Sequence, residues 1–402
     1  MTGTTLLKRA VLTVALLWAP LFLSVPASAN FQTYVQGLWP LAEKRGVPRA
    51  VFKSAFDGMT PDPDVLGLAR KQPEFKSTPA QYLAKRVSAL RVEKGRAKAK
   101  EWGEVLAHIE ATYGVDRFVV LSVWGNETNF GGYLGGHNVL RAMATLAYSG
   151  YRADYFKKEL LIALDILAQG HTVPENMIGS WAGAMGHTQF MPSSFKAYAV
   201  DVTGDGRRDI WTTIPDALAS TANYLKVHGW RAGETWGYEV VLPKNLNPTQ
   251  AKAMGAVSIA QWQNLGVTRA NGQPFPRPTD TARLVMPGGT TGPALLTLPN
   301  FRVIKRYNNS DNYALAVGYL SDRMRGGNPW VTPFPIDQLL SEEERLEIQK
   351  LLKSRGFPIS KLDGQLGTET RSAIFAFQKE TDTAADGLPT PDVLERLRAA
   401  KK

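Results

Sequence analysis

Apolar residues recur at helical spacing along most of this chain. From Asn30 to about Lys100 the pattern predicts short amphipathic helices separated by proline and glycine, and a basic stretch over residues 85–100 reads as solvated helix faces. Over residues 101–230 the helices lengthen, as at 155–167, where Phe156, Leu160, Ala163, Leu164 and Leu167 share one side. This stretch is expected to hold the main core. Between residues 236 and 303 the pattern shifts to β-branched and apolar pieces broken by Gly and Pro, which predicts a small β-rich insertion. A helix returns over 310–324, with Asn309, Ser310 or Asp311 as its N-cap. Three prolines and two glycines in 326–335 forbid a continuous helix and mark a linker. The tail from 336 to 402 is a second domain. Its first helix runs from Ser341 to Arg355, opening on Glu342, Glu343 and Glu344, which complement the helix dipole. A second helix starts near Thr368 and ends after Gln378, and Asp363-Gly364 and Asp386-Gly387 sit in turns ahead of helical segments. The fold class is therefore mainly α, with domains at 30–325 and 336–402.

Composition narrows the setting. At 402 residues, 44% hydrophobic and 21% charged, the chain is an ordinary globular protein rather than a disordered or fibrous one. Residues 1–29 read as a secretory signal: Lys8 and Arg9, an apolar run over 10–25, then Ala27, Ser28 and Ala29 as the exit. The run is shorter than the roughly 20 residues needed to span a bilayer, which argues against an uncleaved anchor. There is no cysteine, so disulfides, thiolate metal sites, a cysteine nucleophile and a lipid-modified cysteine are excluded. A soluble, exported monomer is expected. Net charge is +11, falling to +9 once the signal takes Lys8 and Arg9 with it. An anionic partner fits that balance. An export signal and the lack of a dense Lys/Arg stripe make a surface polymer a better match than nucleic acid.

Two motifs carry chemistry. The first is FVVLSVW over 118–124 followed by GNETNFGG over 125–132. If the helix continues to Glu127, Val120, Val123 and Trp124 lie beside its carboxyl, an environment that raises the pKa and suits a general acid. The following glycines allow a bulky ligand to approach the backbone. The alternative is a helix-terminal Glu that caps or pairs in solvent. The second motif, GSWAGAMGHTQFMPSS over 179–194, is a glycine-rich turn feeding a proline-started helix. Ser180 and Gln189 offer donors and acceptors to a hydroxyl- and amide-rich ligand such as a sugar, or form a tight packing turn. His187 has no partner at triad spacing and reads as wall or surface.

With these motifs the sequence resembles the lytic murein transglycosylase B family, glycoside hydrolase family 103. The matching strings are GNETNFG (125–131), AMATL (142–146), ADYF (153–156), GAMG (183–186), QFMPSS (189–194), ANY (222–224), HGW (228–230) and RYNNS (306–310). The resemblance implies a lysozyme-like helical core with Glu127 as the one catalytic acid. It implies substrate contacts at Ser180, Gln189, Tyr224, Tyr307, Asn308, Tyr313, Tyr82 and Arg152. Tyr151 departs from the pattern, where a second basic residue is expected. The implied reaction cleaves the bond between N-acetylmuramic acid (MurNAc) and N-acetylglucosamine (GlcNAc) in peptidoglycan and closes a 1,6-anhydro ring. No cofactor is needed, glycan strands are the partner, and cell-wall synthesis or division proteins are further candidates. A lysozyme-type hydrolase and an inert wall-binding scaffold are the competing readings; nothing acidic follows Glu127 until Asp154 and Glu159.

Two further segments stand apart. Residues 201–209, DVTGDGRRD, begin like a calcium loop, with oxygen side chains at Asp201, Thr203 and Asp205 and glycine at the sixth place. Thr212 replaces the usual Glu at the twelfth, and Asp216, four residues on, is the candidate acid for a structural calcium or sodium ion. Arg207 and Arg208 count against it, and a calcium-sensor reading lacks the usual second loop. The tail, with LDGQLG at 362–367, Thr370, Ala373, Ile374, Phe377 and Gln378, resembles a three-helix peptidoglycan-binding domain.

Overall fold

The computed structural model describes residues 27–70, 78–289, 292–334, 339–383, 385 and 387–400. Most of the expected signal, the tail boundary at 336 and Asp386 lie outside the described residues.

The helix Arg117–Thr128 is the axis of the molecule. Val119 through Asn126 are all buried, so it is surrounded rather than amphipathic. It packs against the helices Asp311–Arg325, Ala89–Glu101, Ile214–Val227 and Gly103–Tyr113. The Asp116 carboxylate caps its start, accepting from the Phe118 and Val119 amides. Gly318 lets the Asp311–Arg325 helix approach Trp236, whose ring would lie 2.4 Å from an added Cβ. Deeper in the core, Ala153–Ala168 packs on Val139–Tyr148. The five predicted apolar positions of that helix are buried, and so are Leu161, Ile162 and Ile166, which the one-sided pattern did not include. Its buried Glu159 accepts from the Ser193 amide at the start of the helix Pro192–Tyr198.

The β-rich segment forms a five-stranded antiparallel sheet, in the order Val257–Ser258, Thr281–Val285, Ala294–Thr297, Gly237–Val241, Thr268–Arg269. The strand Ala294–Thr297 faces both ways: Leu295 enters the main helical core, while Leu296 joins a smaller core around Trp262. The sheet ends at Thr297. The helix Pro299–Tyr307, which the sequence pattern had merged with the insertion, sends Phe301, Val303 and Ile304 into the main core.

The tail has its own apolar cluster, in which Ile348, Leu352, Ile374, Phe377, Leu394 and Leu397 come from the helices Glu342–Ser354, Thr368–Glu380 and Pro391–Ala399. Ser341 and Glu344 form a reciprocal capping box at its first helix. Gln349 accepts from the Asp363 and Gly364 amides, and Gln378 from the Gly387 amide, so a glutamine on each of two helices ties down a glycine turn.

Candidate active site

Glu127 occupies the last turn of its helix. The chain then reverses through Asn129, Phe130 and Gly131, all at positive φ, and Gly131 is obligatory because a Cβ there would lie 2.7 Å from the His187 ring. On the opposite side, Gly135 packs directly on the Gly179 backbone, where an added Cβ would sit 1.9 Å from the Gly179 oxygen. This contact holds the Ser180 turn beside the loop after Glu127.

The Glu127 carboxyl is partly buried, and its Oε1 accepts a 2.7 Å hydrogen bond from the Tyr313 hydroxyl. Burial pushes its pKa up to about 7, against the smaller opposing effects of the Tyr313 hydroxyl and the Arg86 guanidinium. None of these groups is a carboxylate. Tyr82, Tyr307 and Tyr313 all lie close enough to feel the Glu127 charge, and each phenol is raised, chiefly by burial. Tyr307 stacks on Tyr313 at 6.3 Å and donates to the Thr188 carbonyl, while Tyr224, behind it, donates to the Arg306 carbonyl. The tyrosines thus form a wall in which the Tyr224 and Tyr307 hydroxyls are committed to backbone and the Tyr313 hydroxyl to Glu127.

Other predicted contacts differ in what they can offer. Ser180 Oγ accepts from the Ala184 amide. Gln189, strained at φ 51°, donates its amide nitrogen to the Leu134 and Gly186 carbonyls, so its side-chain oxygen is the atom to present to a ligand. Asn308 is exposed just beyond Tyr307. Arg152 sits at the start of the Ala153–Ala168 helix with its guanidinium 4.2 Å over Tyr155, and among the described residues no contact joins it to the Glu127 group. Tyr151 stacks on Phe156.

His187 is a wall residue. Its Nδ1 accepts from Trp124 Nε1 at 3.0 Å, and burial lowers its pKa to about 4, so it is neutral and not a proton carrier near neutral pH.

The basic stretch at 85–100 is the main correction. Lys85, Arg96 and Lys100 are exposed as expected, but Arg86 and Arg91 are half-buried: Arg86 donates to the Asn126 carbonyl at 2.6 Å and Arg91 to the Gly125 carbonyl at 3.2 Å. Lys94 reaches the Asn129 carbonyl at 2.7 Å. Three cations therefore satisfy the carbonyls at the C-terminal end of the Glu127 helix, where the helix dipole is negative. The charge density was visible in the sequence; its target, some 34 to 40 residues away, was not.

The loop at 201–216 brings Asp201, Asp205 and Asp216 together, one carboxylate oxygen from each lying within 4.8 Å of the others. Asp216 is fully buried and accepts from the Val202 and Asp209 amides, and burial raises its pKa. Thr203 donates to Asp201. The Thr212 hydroxyl, at the twelfth position, donates to the Asp209 carboxylate. Arg208 turns away to His171 and Gln169, and Arg207 pairs with Asp205. Three carboxylate oxygens of like charge, one of them on the buried Asp216, fit a calcium-type ion.

Residues 30–322 match the family described as transglycosylase SLT domain, and residues 341–397 match a peptidoglycan binding domain. The chain is 36% identical over 242 residues to the membrane-bound lytic murein transglycosylase B of Escherichia coli, an alignment covering 60% of this chain and 65% of that protein. It therefore spans just under two thirds of the length of that relative. SltB3 from Pseudomonas aeruginosa, in complex with NAG-NAM-pentapeptide and with NAG-anhNAM-pentapeptide, superposes with a TM-score of 0.74 at 44% identity, over 92% of this chain and 99% of that one. The Escherichia coli lytic transglycosylase Slt35 in complex with calcium gives 0.61 at 31% identity, over 74% and 93% of the two chains.

Proposed function

Because this chain belongs to the transglycosylase SLT domain family, we propose that it is a lytic transglycosylase acting on the β-1,4 bond between MurNAc and GlcNAc of peptidoglycan. The observation that carries this reading is a single carboxyl, Glu127, poised near neutral pH with no carboxylate partner among the groups that shift it. Part of the Glu127 population is protonated at pH 7, so it can give its proton to the glycosidic oxygen as the bond breaks. The Tyr313 hydroxyl holds Oε1, leaving Oε2 to face the sugar, and stabilises the carboxylate left behind. Cleavage generates an oxocarbenium-like or N-acetyl-assisted centre at carbon 1. Glu127, now the base, removes the proton from the 6-hydroxyl of the same MurNAc, whose oxygen attacks carbon 1 and closes the 1,6-anhydro ring. The proton count closes without water.

Retaining and inverting hydrolases use two carboxylates. That difference disfavours the lysozyme-type reading. The tyrosine wall, Ser180, the Gln189 oxygen and Asn308 are assigned to binding the glycan. The anhydro-sugar ligand of the 44% identical relative supports the product assignment.

We assign residues 30–325 to catalysis, 326–335 to a linker and 336–402 to wall attachment, and the protein to the periplasm after export. No described helix is long and apolar enough to cross a membrane. Asp201, Thr203, Asp205 and Asp216 are assigned to a structural cation, which the calcium complex of the 31% identical relative supports. Replacing Glu127 by Gln tests the whole reading: release of soluble muropeptides from purified wall should vanish with the fold intact, and retained release would contradict it.

A further inference from the structure

The helices Pro79–Arg86 and Ala89–Glu101 are gripped from two sides. On one side, Arg86 and Arg91 hold the Asn126 and Gly125 carbonyls next to Glu127. On the other, the tail domain is docked. Asp392 Oδ1 accepts from the Ala89 amide at 2.8 Å, 303 residues away in sequence. That amide is the first of the Ala89–Glu101 helix, whose own cap, Ser88, accepts instead from Arg91. The helix start therefore carries one acceptor from its own segment and a second, anionic one from the tail. Two ion pairs lie beside it, Lys85 with Glu344 at 2.7 Å and Arg396 with Glu93 at 3.3 Å, and Glu395 acts electrostatically on Arg91. Every tail group in this set meets one of the two helices that reach the end of the Glu127 helix.

Resting on the assignment of Glu127 above, we propose that the tail domain is a positioning element for catalysis as well as an attachment module, with Asp392 as the positioning residue. Asp392 fixes the start of the Ala89–Glu101 helix, and Glu344 fixes Lys85 at the end of the preceding one. Arg86, between these anchors, and Arg91, two residues past the second, hold the Asn126 and Gly125 carbonyls of the catalytic helix and with them the direction of the Glu127 carboxyl. Small displacements of a reacting group are costly in rate, so an undocked tail lowers turnover even where attachment to the wall is not needed.

The test uses the full-length mature chain and a soluble four-sugar muropeptide prepared from purified wall. Asp392→Ala should lower kcat by about five-fold, the effect of losing one anionic helix cap, with KM and sacculus pulldown within about two-fold of wild type. The alkaline limb of its pH profile should move upward, because a loosened Arg86 no longer favours the Glu127 carboxylate. Asp392→Asn, which keeps the acceptor, should recover most of kcat. If the Ala variant does not fold, Lys85→Met carries the test, with an expected loss of about two-fold in kcat. Unchanged kcat in both Asp392→Ala and Lys85→Met, or a loss confined to KM or to pulldown, overturns the proposal. A wild-type chain that yields no anhydro products would instead overturn the functional reading, so the two failures are separable.

Discussion

The Tyr313 hydroxyl and the Glu127 carboxyl, 186 residues apart in sequence, meet in a 2.7 Å hydrogen bond at the end of the central buried helix. The bond favours the charged carboxylate, while burial favours the neutral acid by more, and the balance places Glu127 near pH 7.

Tyr313→Phe removes the favouring bond and leaves the burial. The Glu127 pKa should rise, so the alkaline limb of kcat/KM, where the acid is lost, should move to higher pH. Turnover should fall about tenfold, since the carboxylate formed on proton transfer loses its donor. A pH-rate profile of the variant on soluble muropeptides reads both changes.

The same balance has a stability signature. Glu127 titrates near 4.5 unfolded and near 7 folded, so between those values the folded chain binds more protons and stability falls as pH rises. The contribution is intact below about pH 4.5 and lost as the pH passes 7. Glu127→Gln should therefore gain stability over wild type at pH 8 relative to pH 5, by about 2 kcal/mol. Denaturant melts of both chains at the two pH values measure the difference.

Calcium added to chelator-treated protein should raise the melting temperature, and Asp216→Asn should abolish the rise. The buried Asp216 is the anion an ion would neutralise, so the variant without calcium should be no less stable than wild type without it. Calorimetric titration that shows no heat with the wild-type chain would remove the site.

Gly131→Ala should destabilise by about 1–3 kcal/mol, because the residue sits at φ 77° and its new methyl would press on the His187 ring. Since His187 holds Trp124, activity should fall with stability rather than independently of it.

How far the sequence was readable follows from the range of each interaction. The helix ending at Glu127 and the turn after it are local events, written in an apolar run and its glycines, and so are the Ser310 and Ser341 caps. The sheet's extent was blurred because the helix Pro299–Tyr307 follows Thr297 after a single residue. Tyr82, Tyr307 and Tyr313 entered through family resemblance alone, since no spacing rule links three phenols on separate helices to one acid. The bonds of Arg86 and Arg91 were missed because their acceptors are backbone carbonyls, which leave no trace in residue identity. Arg152 is the reverse case, named by resemblance and found over Tyr155, without a contact to the Glu127 group among the described residues.

In the proposed reaction one carboxyl takes back its proton from the sugar rather than from water. Digestion of purified wall in water enriched in oxygen-18, followed by mass analysis of the released muropeptides, measures this directly. The expected products are 1,6-anhydro-MurNAc ends with no heavy oxygen incorporated. Reducing ends carrying oxygen-18 would contradict it.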